Sequence, residues 1–169
     1  MIPFLVFAFF LYFPYAWCIL TKRPFEEFGL RWHLSPQGRK DLLLFSLGTL
    51  LPLTVVSLTL FSHRLPSWRA LPVLPAILSG LAAAAAEETF FRGWLQTLLR
   101  RKFSASASIC GSAAVFALAH IFANAPFSLL VFFPGLMMGL LRARHDTILP
   151  AILYHWIGNI WSIWFFPRF

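Results

Sequence analysis

Two adjacent glutamates, Glu87 and Glu88, stand inside an apolar run rich in Ala and Leu. At mid-membrane an ionised carboxylate costs about 2.5–3.5 kcal/mol on insertion scales, so such a pair requires a polar cavity, a cation or protons. Arg92 follows Glu88 by four residues and shares its helical face, where it can neutralise that carboxylate. Glu87 points about 100° around the helix and is left free. Adjacent buried carboxylates cannot easily both ionise and should titrate as a coupled pair, which suits a general base. The plainer alternative is an ion pair of Glu88 with Arg92 that fixes helix register, with Glu87 simply protonated.

His120 lies in Phe116-Ala117-Leu118-Ala119-His120, and His155 lies in another apolar run with Asn159 one turn beyond it. A single histidine in an apolar helix is usually a satisfied core residue. Two histidines, an asparagine and two glutamates on three helices instead resemble an active site. Counted from the basic loops at about 1.5 Å per residue, Glu88 sits about 18 Å deep, His120 about 23 Å, His155 about 12 Å and Asn159 about 18 Å. These depths are compatible, but spacing alone does not make the helices face one another. His33, His63 and His145 fall in loops or at span edges and read as exposed.

The elements that position these groups follow from composition. Of 169 residues, 59% are hydrophobic and only 12% charged, against about 25% charged in ordinary soluble domains. Apolar runs of about 20 residues match the thickness of a bilayer core. The expected architecture is an all-α polytopic transmembrane bundle in a single domain, 1–169, with spans near 2–20, 42–61, 72–99, 105–123, 127–141 and 147–166. The first run lacks the basic start and small-residue cleavage site of a signal peptide, so it is read as a span. The net charge of +8 does not indicate nucleic acid, because the basic residues cluster in short loops between apolar runs.

Ten basic residues (Lys22, Arg23, Arg31, Arg39, Lys40, Arg100, Arg101, Lys102, Arg142 and Arg144) share one side, against Arg64, Arg69 and Arg168 on the other. The positive-inside rule then sets the basic loops in the cytoplasm and both termini outside. Phe25 to Trp32 mixes aromatic and charged residues, as a segment at the headgroup level or a solvated loop would. Ser35-Pro36 and Ser104 are expected helix starts. Gly135 and Gly139, like Gly80 and Ala84, form small-residue stripes for close helix packing. Cys18 and Cys110, without ligand spacing, read as small core residues.

Three motifs in order, Glu87-Glu88-Thr89-Phe90-Phe91-Arg92 (EExxxR), Phe116 to His120 (FxxxH) and His155 to Asn159 (HxxxN), resemble those of the CPBP intramembrane proteases. That group includes the type II CAAX prenyl endopeptidases and bacteriocin-processing, Abi-like relatives. The stretch from Gly135 to Asn159 is similar to the family's C-terminal part, and Phe25 to Trp32 to its pre-helix segment. With six spans where many relatives have more, the chain resembles small bacterial members, some of them associated with C-terminal sorting signals.

The resemblance implies a glutamic-type endopeptidase of a bacterial cytoplasmic membrane acting on a membrane-anchored protein or peptide near its C-terminal segment. Glu87 and His120 would activate water, and His155 and Asn159 would donate to the oxyanion. Glu88, held by Arg92, would orient the site and pass a proton to the leaving amine, while Phe116 packs. The same Glu87, His120 and His155 could instead hold a zinc ion, although no HExxH spacing signals one. No GxSxG points to a serine nucleophile. A proton-coupled carrier or a non-catalytic binding protein would use the same groups as a relay or a grip. The chain has neither the paired broken helices nor the repeat common in carriers.

Overall fold

Ser35 and Pro36 act as their types require. Ser35 Oγ accepts from the Gly38 amide at 2.9 Å and Pro36 takes the first helical position. In a computed structural model, which describes residues 2–66, 73–121 and 128–167, this cap starts α2 (Pro36–Leu60) six residues before the expected span. Arg69, Arg168 and parts of the expected third, fourth and fifth spans (72, 122–123 and 127) lie outside the described residues.

The other helices are α1 (Ile2–Leu20), α3 (Val73–Glu88), α4 (Gln96–Arg100), α5 (Ala105–Ile121), α6 (Phe132–Arg144) and α7 (Leu149–Phe165). A π-helical segment, Thr89–Leu95, joins α3 to α4. These three pieces form one rod of 28 residues, Val73–Arg100. Ser104 caps α5 as expected, its Oγ accepting from the Ala107 amide at 3.2 Å. The helix expected over 127–141 instead runs from Phe132 through Arg144, entered by a 3₁₀ turn at Ser128–Val131. Its last turn carries Arg142, whose side chain folds inward and is only 11% exposed.

The bundle buries polar groups among apolar core residues such as Phe91, Phe116 and Ile152, and it is apolar outside. Glu88, Thr89, Arg92, Gln96, Ser108 and Ser112 are buried, whereas Leu43, Leu44, Leu51, Leu58, Leu78 and Leu118 are exposed. An exterior of that kind belongs in lipid. Two helices, α2 and the Val73–Arg100 rod, are long and apolar enough to cross a membrane, and α1 and α5 supply shorter apolar helices. Helix α7 packs against α3, α2 and α6, and α5 packs against α6 and α4. Helix α1 lies along α3 and the π segment. There Phe10 stacks on Phe90 at 4.8 Å and Phe13 meets Trp94 edge-on at 5.0 Å.

The segment from Phe25 to Trp32 is neither a surface strip nor a free loop. Its charged residues are exposed, but Phe28 and Leu30 are buried. Gly29 turns the chain inward at φ +62°, a conformation that favours glycine. Its carbonyl accepts from the Ile148 amide at 2.9 Å, and the Arg31 carbonyl accepts from Thr147 Oγ1 at 2.6 Å. The segment therefore wedges between the π segment and the α6–α7 turn. Cys18 is core, but Cys110 faces outward on α5, because α5 turns its Ser108, Ser112 and Phe116 face inward instead. His33 and His63 are exposed as expected. The His145 side chain is only 8% exposed and shares Asp41 with Arg144, tying the α6–α7 turn to α2.

Candidate active site

The π segment begins at the residue after Glu88 and contains Arg92. Such segments shift the hydrogen-bond ladder and occur often at functional sites. Ser112 Oγ on α5 donates to the Phe91 carbonyl within it at 2.8 Å, joining the two helices. Arg92, fully buried, donates from Nη1 to Glu88 Oε1 at 3.0 Å and from Nη2 to the Gly135 carbonyl at 3.0 Å. Its guanidinium carbon lies 4.4 Å from the centre of the Phe116 ring. The expected Glu88–Arg92 pair is thus present, and it is also fastened to α6.

Gly135 is required for that reach. A Cβ there would stand 3.2 Å from Arg92 Nη2 and 3.2 Å from the Ala113 Cβ. One turn on, Gln96 Nε2 donates to the Gly139 carbonyl at 2.9 Å. Gln96 was not apparent from sequence as a site residue. Its signal is the matching spacing: Arg92 and Gln96 lie four apart, as do Gly135 and Gly139, so one polar stripe binds the backbone of one glycine stripe.

Glu88 Oε1 also accepts from His155 Nδ1 at 2.9 Å, which directs His155 Nε2 the other way. His120 Nδ1 donates to the Phe116 carbonyl at 2.9 Å, and its Nε2 likewise points away from that bond. Both Nε2 atoms face one oxygen, Glu87 Oε2, His120 at 3.8 Å and His155 at 3.9 Å. That oxygen is buried and has no hydrogen-bond partner among the described residues. The Glu87 side chain is 19% exposed and the His120 side chain 26%, whereas Glu88 is fully enclosed. Phe116 packs against both histidine rings, with centroid separations of 4.4 and 5.7 Å. Its edge-on contact to His155 and tilted contact to His120 fix both ring planes.

Asn159, expected among the oxyanion donors, uses Nδ2 to donate to the Gly80 carbonyl at 3.0 Å. A Cβ on Gly80 would come within 3.2 Å of the Asn159 Cβ, so the small residue allows this contact. In this arrangement Asn159 fastens α7 to α3, two turns before Glu87. Trp156 Nε1 adds a second tie, donating to the Ile77 carbonyl at 2.9 Å. Among the described residues no three His, Cys, Asp or Glu side chains are gathered closely enough to hold a metal ion as they stand.

All-helical packing with an apolar exterior defines a class, the polytopic helical membrane bundles, here with paired carboxylates and two histidines brought together from three helices. The family model described as Type II CAAX prenyl endopeptidase Rce1-like matches residues 68–161, more than half of the chain, and the chain belongs to that family. The matched stretch holds every residue of the site from Glu87 to Asn159 and leaves α1 and α2 outside it. No curated protein and no solved structure matches the chain significantly. The chain is accordingly a CAAX-type intramembrane protease in the general sense, from a family of integral membrane proteins that act on membrane-anchored protein substrates.

Proposed function

We propose that the protein is a glutamic-type endopeptidase that cuts a membrane-anchored protein or peptide near its C-terminal segment. The observation that carries this reading is Glu87 Oε2, which has no hydrogen-bond partner among the described residues and is faced by two imidazole Nε2 atoms at 3.8 and 3.9 Å. Those separations are too long for direct hydrogen bonds and suit groups that share a water. Glu87 takes one proton of that water while its oxygen attacks the scissile carbonyl, and His120 Nε2 orients the second proton.

The developing oxyanion and the leaving amine both need donors. His155, whose Nδ1 binds Glu88, presents Nε2–H to the oxyanion, and as the carbonyl re-forms and the C–N bond breaks the proton that Glu87 took from water passes to the leaving amine, returning Glu87 to its carboxylate. Glu88, with no exposed surface, acts through His155 rather than touching the amine. Arg92 and Asn159 are positioning residues. Zinc held by Glu87, His120 and His155 is the rival chemistry on the same atoms, and the chelator arm below separates the two.

We also propose that the basic end faces the cytoplasm of a bacterial inner membrane, with both termini outside. Arg31, Arg101, Arg142 and Arg144 gather at that end through ion pairs with Glu26, Glu27, Asp146 and Asp41, which supports this orientation.

The test is cleavage in liposomes of membrane-anchored reporter peptides, lipidated and unlipidated, by the wild type, Glu87→Ala and His120→Ala, with and without a strong chelator. Loss in both variants with resistance to chelator supports the glutamic reading. Chelator loss reversed by zinc replaces it with the metal reading. Cleavage unchanged in either variant overturns the site.

A further inference from the structure

Away from Glu87, a separate cavity of about 370 Å³ opens at the basic end of the bundle. Arg92, Gln96 and Arg142 line its buried floor, and the exposed Arg100 and Arg101 line its mouth. Two carboxylates also line it: Glu27, which accepts from Arg101 at 2.6 Å, and Asp146. The side chains around it carry four positive charges against two negative.

Arg142 is the group that structural pairing leaves unexplained. Its side chain is 11% exposed, yet its ion partner is the fully exposed Asp146 at 3.9 Å. Its Nε is buried and has no acceptor among the described residues. A Cβ on Gly29 would fall on the Nε, Cζ and Nη2 of Arg142, so the glycine covers one face of the guanidinium and leaves its N–H edges for acceptors. Arg92 Nε, on the same floor, also lacks an acceptor. A buried guanidinium N–H without an acceptor is costly, and guanidinium edges are suited to planar or tetrahedral oxyanions.

We propose that this cavity binds a phosphate group and that the source is the headgroup of an anionic phospholipid. The position supports a lipid source. The mouth lies where α4 ends and α5 begins, at the basic rim, and the outer face of α5 beyond it is apolar, with Val115, Leu118 and Ile121 exposed for an acyl chain to follow. The site differs from the proposed catalytic centre but shares Arg92 with it.

Native mass spectrometry of the purified full chain, released from nanodiscs of phosphatidylcholine mixed with phosphatidylglycerol, tests this. Wild type should retain phosphatidylglycerol preferentially. Arg142→Gln should weaken retention about tenfold, as removal of one charge-assisted donor set does, and the exposed Arg100→Gln about threefold. Arg39→Gln, which removes an exposed charge outside the cavity, should change nothing. If Arg142→Gln fails to fold, Arg100→Gln against Arg39→Gln carries the comparison. A parallel melt in detergent with inorganic phosphate assigns the source. Stabilisation by phosphate that Arg142→Gln and Arg100→Gln abolish would identify free phosphate as the ligand and overturn the lipid assignment. Lipid retention without a phosphate effect supports the headgroup. Equal loss in Arg39→Gln, or no preference for either probe, overturns the site.

Discussion

Arg92→Met is the perturbation that weighs the centre of the site most directly. Methionine keeps much of the side-chain volume and removes the charge, both hydrogen bonds and the contact with Phe116. If Arg92 were only an interhelical hydrogen-bond donor, its loss would cost about 0.6 kcal/mol, the mean for such bonds within membranes. It is also the counter-ion of Glu88, and both side chains are 0% exposed. Breaking a buried ion pair from one side leaves the other charge uncompensated, which costs about 3–5 kcal/mol.

The expected loss for Arg92→Met is therefore in the upper range. Glu88→Gln should lose a similar amount, because it strands Arg92. The double variant Arg92→Met with Glu88→Gln, free of both charges, should lie closer to wild type than either single variant, with a coupling of at least about 2 kcal/mol. Unfolding in mixed micelles, followed through the seven tryptophans, measures all four proteins. An Arg92→Met loss below about 1 kcal/mol, or additive single losses, would refute the ion pair as the organising contact.

Other outcomes follow from individual positions. Gly139→Ala should destabilise by about 1–3 kcal/mol in the same unfolding measurement, since its Cβ would stand 2.8 Å from Ile109 Cγ2. Gly48→Ala, with nothing within 4 Å, should be neutral or gain up to about 1 kcal/mol from helix propensity. Gly29→Ala should lower the melting temperature more than Gly139→Ala does, because it combines a strained φ of +62° with a clash on Arg142. At Asp41, burial pushes the carboxyl up, but hydrogen bonds with His145, Gln37 and Arg144 outweigh it and hold the group below its ordinary value of 3.8. A depressed carboxyl stabilises the fold above its unfolded value and loses that contribution as pH falls through the folded one. Asp41→Asn should thus be less stable than wild type at neutral pH, and the difference should vanish on acidification below about pH 3.8. A gap that persists at low pH would show that the Asp41 tether is not electrostatic.

Much of the molecule is legible in the sequence alone. The cost of burying charge singles out Glu87, Glu88 and Arg92 wherever they occur in an apolar run, and the caps at Ser35 and Ser104 depend only on neighbouring residues. The Glu88–Arg92 contact is local as well, four residues along one helix. Length and apolarity likewise determine that the chain crosses a membrane.

What local spacing cannot supply is rotation and height between helices. Depth counting separated His120 and His155 by roughly seven residues of helix rise, yet both Nε2 atoms come within 4 Å of one Glu87 oxygen. The count assumed helix ends level at one surface. In the structure α7 starts at Leu149, α6 extends to Arg144, and the wedge from Phe25 to Trp32 occupies the space between the loops. Close approach is set by contacts over long sequence separations, including Gly80 against Asn159 and Gly135 against Arg92 and Ala113. The same contacts commit Asn159 to a backbone carbonyl, turn Cys110 outward, and bury His145 and Arg142. The sequence by itself determined which groups are too polar to be left in lipid. Only tertiary packing decided which atoms of those groups meet, because each meeting depends on the rotation and offset of helices far apart in the chain.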